Sequence, residues 1–97
     1  MHNSVKILIV DDVIVNRMTI KLSLKNDGYT FIEAQNGKEA IKQAITHKPD
    51  VILMDAVMPV MDGFEATKNI RAIAEIERTP ILMITSLDDK RDKIKAL

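Results

Sequence analysis

The chain has 97 residues, in which 14 Lys and Arg side chains balance 14 Asp and Glu side chains to give a formal net charge of zero. This balance argues against a broad basic surface for nucleic acid or anionic lipid. The absence of cysteine excludes disulfides and thiolate metal sites. No apolar run approaches the roughly 20 residues of a membrane span, and none is long enough for a signal peptide, so we expect a cytoplasmic domain that contacts neither membrane nor nucleic acid directly.

The first predicted elements are a strand and a helix separated by two acids. Residues 5–10 form an apolar run rich in Val and Ile, which is typical of a strand buried on both faces. Asp11 and Asp12 follow this run directly. A helix is predicted from Val15 onward, because apolar residues recur there at helical spacing. The residues that share this helical face are Val15, Met18 and Leu22.

The next predicted pair is a more polar strand and an amphipathic helix. Residues 29–34 favour a strand near the edge of the sheet, because polar side chains interrupt the apolar ones. Residues 35–37 (Gln-Asn-Gly) predict a turn. A second helix should end near Lys48, since the following proline disfavours helical geometry in the residue before it. Its apolar positions are Ala40, Ile41, Ala44 and Ile45.

Two more apolar runs predict the third and fourth strands. Residues 51–54 lead directly into Asp55, and residues 81–84 lead into Thr85 and Ser86. A third helix is predicted between the two strands. Its inward-facing side chains are expected to be Phe64, Thr67, Ile70, Ile73 and Ala74.

This alternation predicts an α/β fold with a doubly wound, mostly parallel sheet and helices on both of its faces. A charged segment from Asp88 predicts a fourth helix, in which the chain ends. A fourth strand without a further neighbour would leave a bare edge, so we expect residues 1–97 to be a single domain that is incomplete at its C-terminus. Such an edge would favour a homodimer or strand exchange.

Chemistry-bearing residues follow three of the predicted strands. The carboxyl ends of parallel strands meet at one edge of an open sheet, so Asp11, Asp12 and Asp55 should converge there with a hydroxyl group. Three carboxylates repel one another, and a hard divalent cation relieves that repulsion. The pattern therefore predicts a site for a hard divalent cation.

Each of these motifs alone has a simpler explanation. The acid pair Asp11-Asp12 could cap the first helix, and Asp55 could be an ordinary loop acid. Thr85-Ser86 could be a turn, and the six methionines fit core packing better than metal ligation. Their joint occurrence in this order is what favours a functional site.

Together, three segments resemble the receiver domain of bacterial response regulators. They are residues 9–12 (Ile-Val-Asp-Asp), residues 53–63 (Leu-Met-Asp-Ala-Val-Met-Pro-Val-Met-Asp-Gly) and residues 84–86 (Ile-Thr-Ser). The resemblance implies a flavodoxin-like (βα)5 fold with strand order 2-1-3-4-5, of which about the first four βα units are present. It also implies a phosphoacceptor switch in a two-component phosphorelay.

The resemblance assigns the acidic residues to phosphoryl transfer. Asp55 matches the phosphoacceptor, which would receive its phosphoryl group from a histidine kinase or a histidine phosphotransfer protein. Asp11 and Asp12 match the acidic pair that holds Mg²⁺ together with Asp55. The backbone carbonyl of Val57 matches the remaining protein ligand of the metal.

The resemblance also assigns a switch. Thr85 matches the hydroxyl that turns inward to bond the phosphoryl group, and the amide of Ser86 would contact the same oxygens. The surface of the fourth helix would relay this state to a partner or an output domain. Residues 84–94 resemble receivers fused to domains that synthesise cyclic-di-GMP, and they would equally suit a hybrid kinase or a stand-alone regulator. The lysine that the family carries on a fifth strand has no counterpart, because the chain ends before that strand.

Two alternatives remain open. A pseudo-receiver would be a protein-interaction or dimerisation module without phosphorylation. An aspartate-nucleophile phosphohydrolase is less favoured, because the haloacid-dehalogenase type needs Asp-x-Asp, whereas Asp11 and Asp12 are adjacent and Val13 follows. On the leading interpretation the chain is not an enzyme beyond its own phosphorylation and dephosphorylation.

Overall fold

A computed structural model describes residues 4–25 and 28–84 of the chain. The elements, in chain order, are β1 (Lys6–Val10), α1 (Ile14–Leu24), β2 (Thr30–Ala34), α2 (Gly37–His47), β3 (Val51–Asp55), α3 (Gly63–Arg71) and β4 (Ile81–Ile84). The predicted alternation of strands and helices is therefore confirmed, while the predicted fourth helix lies outside the described residues. Within the described ranges, no helix combines the length and apolar character that a membrane span requires.

The four strands form one parallel sheet in the order β2-β1-β3-β4. This is the flavodoxin-like strand order that the sequence predicts, and β2 lies at an edge as its polar composition indicates. Val10 of β1 pairs with Met54 of β3, so the two strands end side by side. Asp11 and Asp55, which follow Val10 and Met54, therefore lie at the same level at the carboxyl ends of neighbouring strands.

The main core lies between one face of the sheet and the helices α2 and α3. Successive residues of a strand point to opposite faces of the sheet. In β1 and β3, the residues that point toward α2 and α3 are buried. Small alanines on both helices allow close approach of helix and sheet. The core cluster includes Leu8, Val10, Ile52 and Met54 from the strands, Ala40 and Ala44 from α2, and Ala66 and Ile70 from α3.

The predicted inward face of α3 was partly wrong. Ile70 is fully buried and Ile73 packs against the core, but Phe64 is 58% exposed. Ala66 takes the inward position instead, because the helix begins at Gly63 and is buried at the first, fourth and eighth residues. Ala74, beyond the end of the helix, is exposed.

On the opposite face of the sheet, α1 makes polar contacts with β2. Val15, Met18 and Leu22 share one helical face as predicted, yet that face is open to solvent, with Val15 at 62% and Leu22 at 61% exposure, whereas Ile20 and Leu24 are half-buried. Ion pairs connect the helix to β2 instead, since Arg17 and Lys21 each donate to the Glu33 carboxylate at 2.8 Å. These contacts, first with Lys21 and then with Arg17, hold the pKa of Glu33 below its usual value.

Candidate metal site at the carboxyl edge of the sheet

Three carboxylates meet at the carboxyl ends of β1 and β3. Asp11, Asp12 and Asp55 each offer an oxygen, and these oxygens all lie within 4.8 Å of one another. Asp55 is 1% exposed and Asp11 is 5% exposed, whereas Asp12 faces solvent. The site thus combines two buried acids with one that water can reach.

Backbone pairing fixes both buried acids. Asp55 is the last residue of β3, one residue beyond the predicted strand, and it pairs with Ile84. The amide of Ala56 extends this ladder by donating to the Ile84 carbonyl at 3.1 Å. Directly after β1, the amide of Asp11 donates to the Ala34 carbonyl at 3.1 Å. Asp55 is therefore part of the sheet, and Asp11 is tied to the end of β2 by a backbone hydrogen bond.

Each of the two buried carboxylates is oriented by a local turn of the same kind. The amide of Val13 donates to Asp11 Oδ1 at 2.8 Å, and the amide of Val57 donates to Asp55 Oδ1 at 3.3 Å. Asp is suited to such a turn, because its short side chain reaches the amide two residues further on. This places Val57, whose carbonyl is a predicted metal ligand, immediately beside Asp55.

Sequence reasoning missed two residues that hold Asp11. Asn16 Nδ2 donates to both carboxylate oxygens of Asp11, at 3.3 Å to Oδ1 and 3.2 Å to Oδ2. Arg17 Nη1 donates to the Asp11 carbonyl at 2.6 Å, while its Nε donates to Glu33. Two consecutive polar residues in the first turn and a half of a helix that begins three residues after Asp11 were the signal available in the sequence.

The segment between β3 and α3 is tied to the rest of the site. Gly37 at the start of α2 donates its amide to the Met61 carbonyl at 3.2 Å, and Asp62 caps α3 by accepting from the Glu65 amide at 2.8 Å. Gly63 has no room for a side chain, because a Cβ there would overlap the carbonyl oxygen of Asp55. The backbone of this segment therefore packs directly on the strand that carries Asp55.

The predicted residues Thr85 and Ser86 lie outside the described residues. Of the six predicted site residues, the structure therefore places Asp11, Asp12, Asp55 and Val57. The three acids come together and Val57 lies next to them.

The acidic residues fit a hard divalent cation. Mg²⁺ binds oxygen ligands at about 2.1 Å, so two oxygens on one ion lie no more than about 4.2 Å apart. The observed spread, up to 4.8 Å, needs only small side-chain rotations to meet this limit. The donor set contains carboxylates without thiolate or imidazole, which suits Mg²⁺ or Mn²⁺ better than softer metals.

Comparison with known proteins places the chain in a family. Residues 7–97 match the family described as "Response regulator receiver domain". The chain is 37% identical to Protein PilH of Pseudomonas aeruginosa over 89 residues, which cover 92% of this chain and 74% of PilH. It is 40% identical to the alkaline phosphatase synthesis transcriptional regulatory protein PhoP of Bacillus subtilis over 92 residues. That match covers 95% of this chain but 38% of PhoP.

Solved structures show the same fold. The receiver domain of the sensor histidine kinase PA1611 from Pseudomonas aeruginosa is 35% identical to this chain, with a TM-score of 0.82. The match covers 95% of this chain and 75% of the PA1611 domain. That crystal structure is described as having a magnesium ion coordinated in the active site cleft.

Proposed function

Because the chain belongs to the response regulator receiver domains, we propose that it accepts a phosphoryl group on Asp55 and thereby acts as a switch in a two-component phosphorelay. The observation that carries this proposal is the convergence of Asp11, Asp12 and Asp55 within 4.8 Å at one edge of the sheet. Burying an ionised acid beside two other acids costs free energy unless a bound cation compensates its charge.

In the proposed reaction Asp55 is the nucleophile. One of its carboxylate oxygens forms a bond to phosphorus while the P–N bond of a partner's phosphohistidine breaks, and the imidazole nitrogen leaves with the electron pair. The Val57 amide restrains Asp55 Oδ1 through its 3.3 Å hydrogen bond, and the end of β3 fixes the backbone. Such restraint favours attack because little reorganisation is needed before the bond forms.

The metal-binding residues would be Asp11, Asp12 and Asp55, with the backbone carbonyl of Val57. When bound, Mg²⁺ supplies positive charge that offsets the negative charge on the transferring phosphoryl oxygens. Asp11 would provide a fixed ligand and the exposed Asp12 an adaptable one, acting directly or through water. The chain would catalyse no more than its own phosphorylation and dephosphorylation.

The remaining assignments are proposals about residues and partners beyond the described part. Thr85 would bond the phosphoryl group, the Ser86 amide would contact the same oxygens, and the surface beyond them would relay the state to an output domain or partner. A histidine kinase or histidine phosphotransfer protein would be the donor. Residues 1–97 as a single receiver domain, its cytoplasmic location, its dimerisation and a cyclic-di-GMP output all stay predictions.

Chemical phosphorylation tests the proposal. The protein carrying this chain, incubated with acetyl phosphate and Mg²⁺, should gain one phosphoryl group by intact-mass spectrometry and lose the reaction in EDTA. Asp55→Asn should abolish the adduct. Asp62→Asn is the matched control, since Asp62 is an exposed acid seven residues away from Asp55. Asp62 caps helix α3, and asparagine can also act as an N-cap. An adduct that survives Asp55→Asn, or none in the wild type, contradicts the proposal.

A further inference from the structure

We propose that Asn16, supported by Arg17, is a positioning residue that orients the Asp11 carboxylate for Mg²⁺ and so favours Mg²⁺ over the larger Ca²⁺. The inference rests on the metal site of the proposed function. It concerns residues that would not themselves touch the metal and that act only through Asp11.

The Asp11 carboxylate is held by donors from the start of α1. Val13 N donates to Oδ1 at 2.8 Å, and Asn16 Nδ2 lies 3.3 Å from Oδ1 and 3.2 Å from Oδ2. Contacts to both oxygens oppose rotation of the carboxylate about its own axis.

Arg17 holds the backbone of Asp11. Its Nη1 donates to the Asp11 carbonyl at 2.6 Å while Nε donates to Glu33 at 2.8 Å, and the arginine side chain is only 13% exposed. A planar guanidinium holds its donors in a fixed fork and serves both acceptors in one geometry, whereas a lysine offers a single rotatable ammonium group. The backbone of Asp11 is thereby fixed relative to both α1 and β2.

Asp12 provides the contrast. It is exposed, and no side chain or amide in residues 4–25 and 28–84 hydrogen-bonds to its carboxylate. Restraint of a ligand by surrounding groups is therefore concentrated on Asp11. The two neighbouring acids therefore differ in the hydrogen bonds that restrain them, and Asn16 and Arg17 supply part of that difference.

Restraint of one ligand should discriminate between cations. Mg²⁺ requires near-octahedral geometry at 2.0–2.1 Å, whereas Ca²⁺ accepts irregular geometry at about 2.3–2.6 Å. A carboxylate that rotates freely thus costs Mg²⁺ more binding free energy than Ca²⁺. Loss of a group that orients a metal ligand typically weakens affinity by about 10-fold to 100-fold.

Titration of Asn16→Ala with each cation tests the proposal. Dissociation constants would be measured by calorimetry, without phosphate, in the protein carrying this chain. We expect Mg²⁺ affinity to fall by about 10-fold and Ca²⁺ affinity by about threefold or less. The Val13 amide resonance, which reports the hydrogen bond to Asp11, should shift in the metal-free variant. Asn69→Ala is the matched control, since Asn69 is a half-buried helical asparagine that contacts the Met61 sulphur; both affinities should stay within about twofold.

Each outcome decides between explanations. Equal losses for both cations would mean that Asn16 acts through charge or stability and would overturn the positioning role, as would unchanged Mg²⁺ affinity. Arg17→Lys gives a second test if Asn16→Ala fails to fold, with the same selective loss of Mg²⁺ expected at a smaller size. Wild-type protein that binds no Mg²⁺ would refute the proposed function itself, whereas binding by wild type and variant alike refutes only the positioning role.

Discussion

The two faces of the sheet are stabilised in different ways. On the face covered by α2 and α3, Leu8, Val10, Ile52 and Met54 are fully buried against small helical residues. The opposite face carries α1, none of whose residues is buried. Along one row of paired residues on that second face, burial declines from Ile9, which is fully buried, to Leu82, which is 59% exposed.

The difference separates the scaffold from the site. Burial against α2 and α3 supplies most of the hydrophobic stabilisation of the described part of the chain, because that term follows the apolar area removed from water. On the other face, α1 is joined to β2 by directional polar contacts, which involve Arg17, Lys21 and Glu33. The same helix carries Asn16, whose side chain donates to Asp11, the proposed metal ligand.

A pair of leucine truncations should give the largest difference between the faces. Leu8→Ala should lower the free energy of unfolding by about 3 kcal/mol, because it opens a cavity among fully buried residues. Leu22→Ala, the same change on the exposed face of α1, should cost less than about 1 kcal/mol. Urea denaturation followed by circular dichroism measures both. Similar losses at the two positions would mean that the α1 face is buried in solution.

A methyl group at Gly63 should be nearly as damaging. Gly63→Ala places its Cβ against the carbonyl of Asp55 and the side chain of Met54, and we expect a loss of about 2 kcal/mol together with weaker Mg²⁺ binding. Gly28→Ala is the control, since a Cβ there meets nothing within 4 Å and only its positive φ of 76° opposes the change. The control should cost about 1 kcal/mol and leave Mg²⁺ affinity unchanged.

Removing the guanidinium of Arg17 should have a smaller effect on stability. Arg17→Met keeps much of the packing but removes the donors to Glu33 and to the Asp11 carbonyl, at a cost of about 1–2 kcal/mol. Arg78→Met, at an exposed position without an ion pair in the described ranges, should cost less than about 0.5 kcal/mol. Chemical denaturation in EDTA separates this stability effect from metal binding. Equal values would show that α1 does not depend on Arg17.

The sequence predicted the placement of the acids better than the contacts around them. Asp11 and Asp55 could be placed because each follows a recognisable apolar strand, and parallel strands end at a common edge. Phe64 was assigned inward because periodicity gives the spacing of a helical face but not its orientation, which Gly63 sets by packing on Asp55. The contacts of Asn16 depend on how the first turn of α1 is oriented toward the end of β1, which the apolar periodicity does not give. The roles proposed for Thr85 and Ser86 stay predictions.

Protonation of Glu33 should produce the smallest effect, and its sign follows from the ion pairs. Lys21, and then Arg17, lower the pKa of Glu33 below its ordinary value of 4.5, so the stabilising contribution is fully present above that value and is lost as pH falls through the lowered pKa. Glu33→Gln should therefore destabilise the protein near pH 7, by less than about 1 kcal/mol because the pair is partly exposed and screened.

The difference between wild type and Glu33→Gln should stay constant from neutral pH down to about pH 5 and shrink at lower pH. Urea denaturation of both proteins at matched pH values measures it, and the subtraction removes the titration of the other acids. Glu75→Gln, at an exposed position outside the two ion pairs, is the matched control and should change the free energy of unfolding near pH 7 by less than about 0.5 kcal/mol. A difference that grows as pH falls would mean that Glu33 destabilises the α1 face when ionised, and the ion pairs could then not be what holds α1.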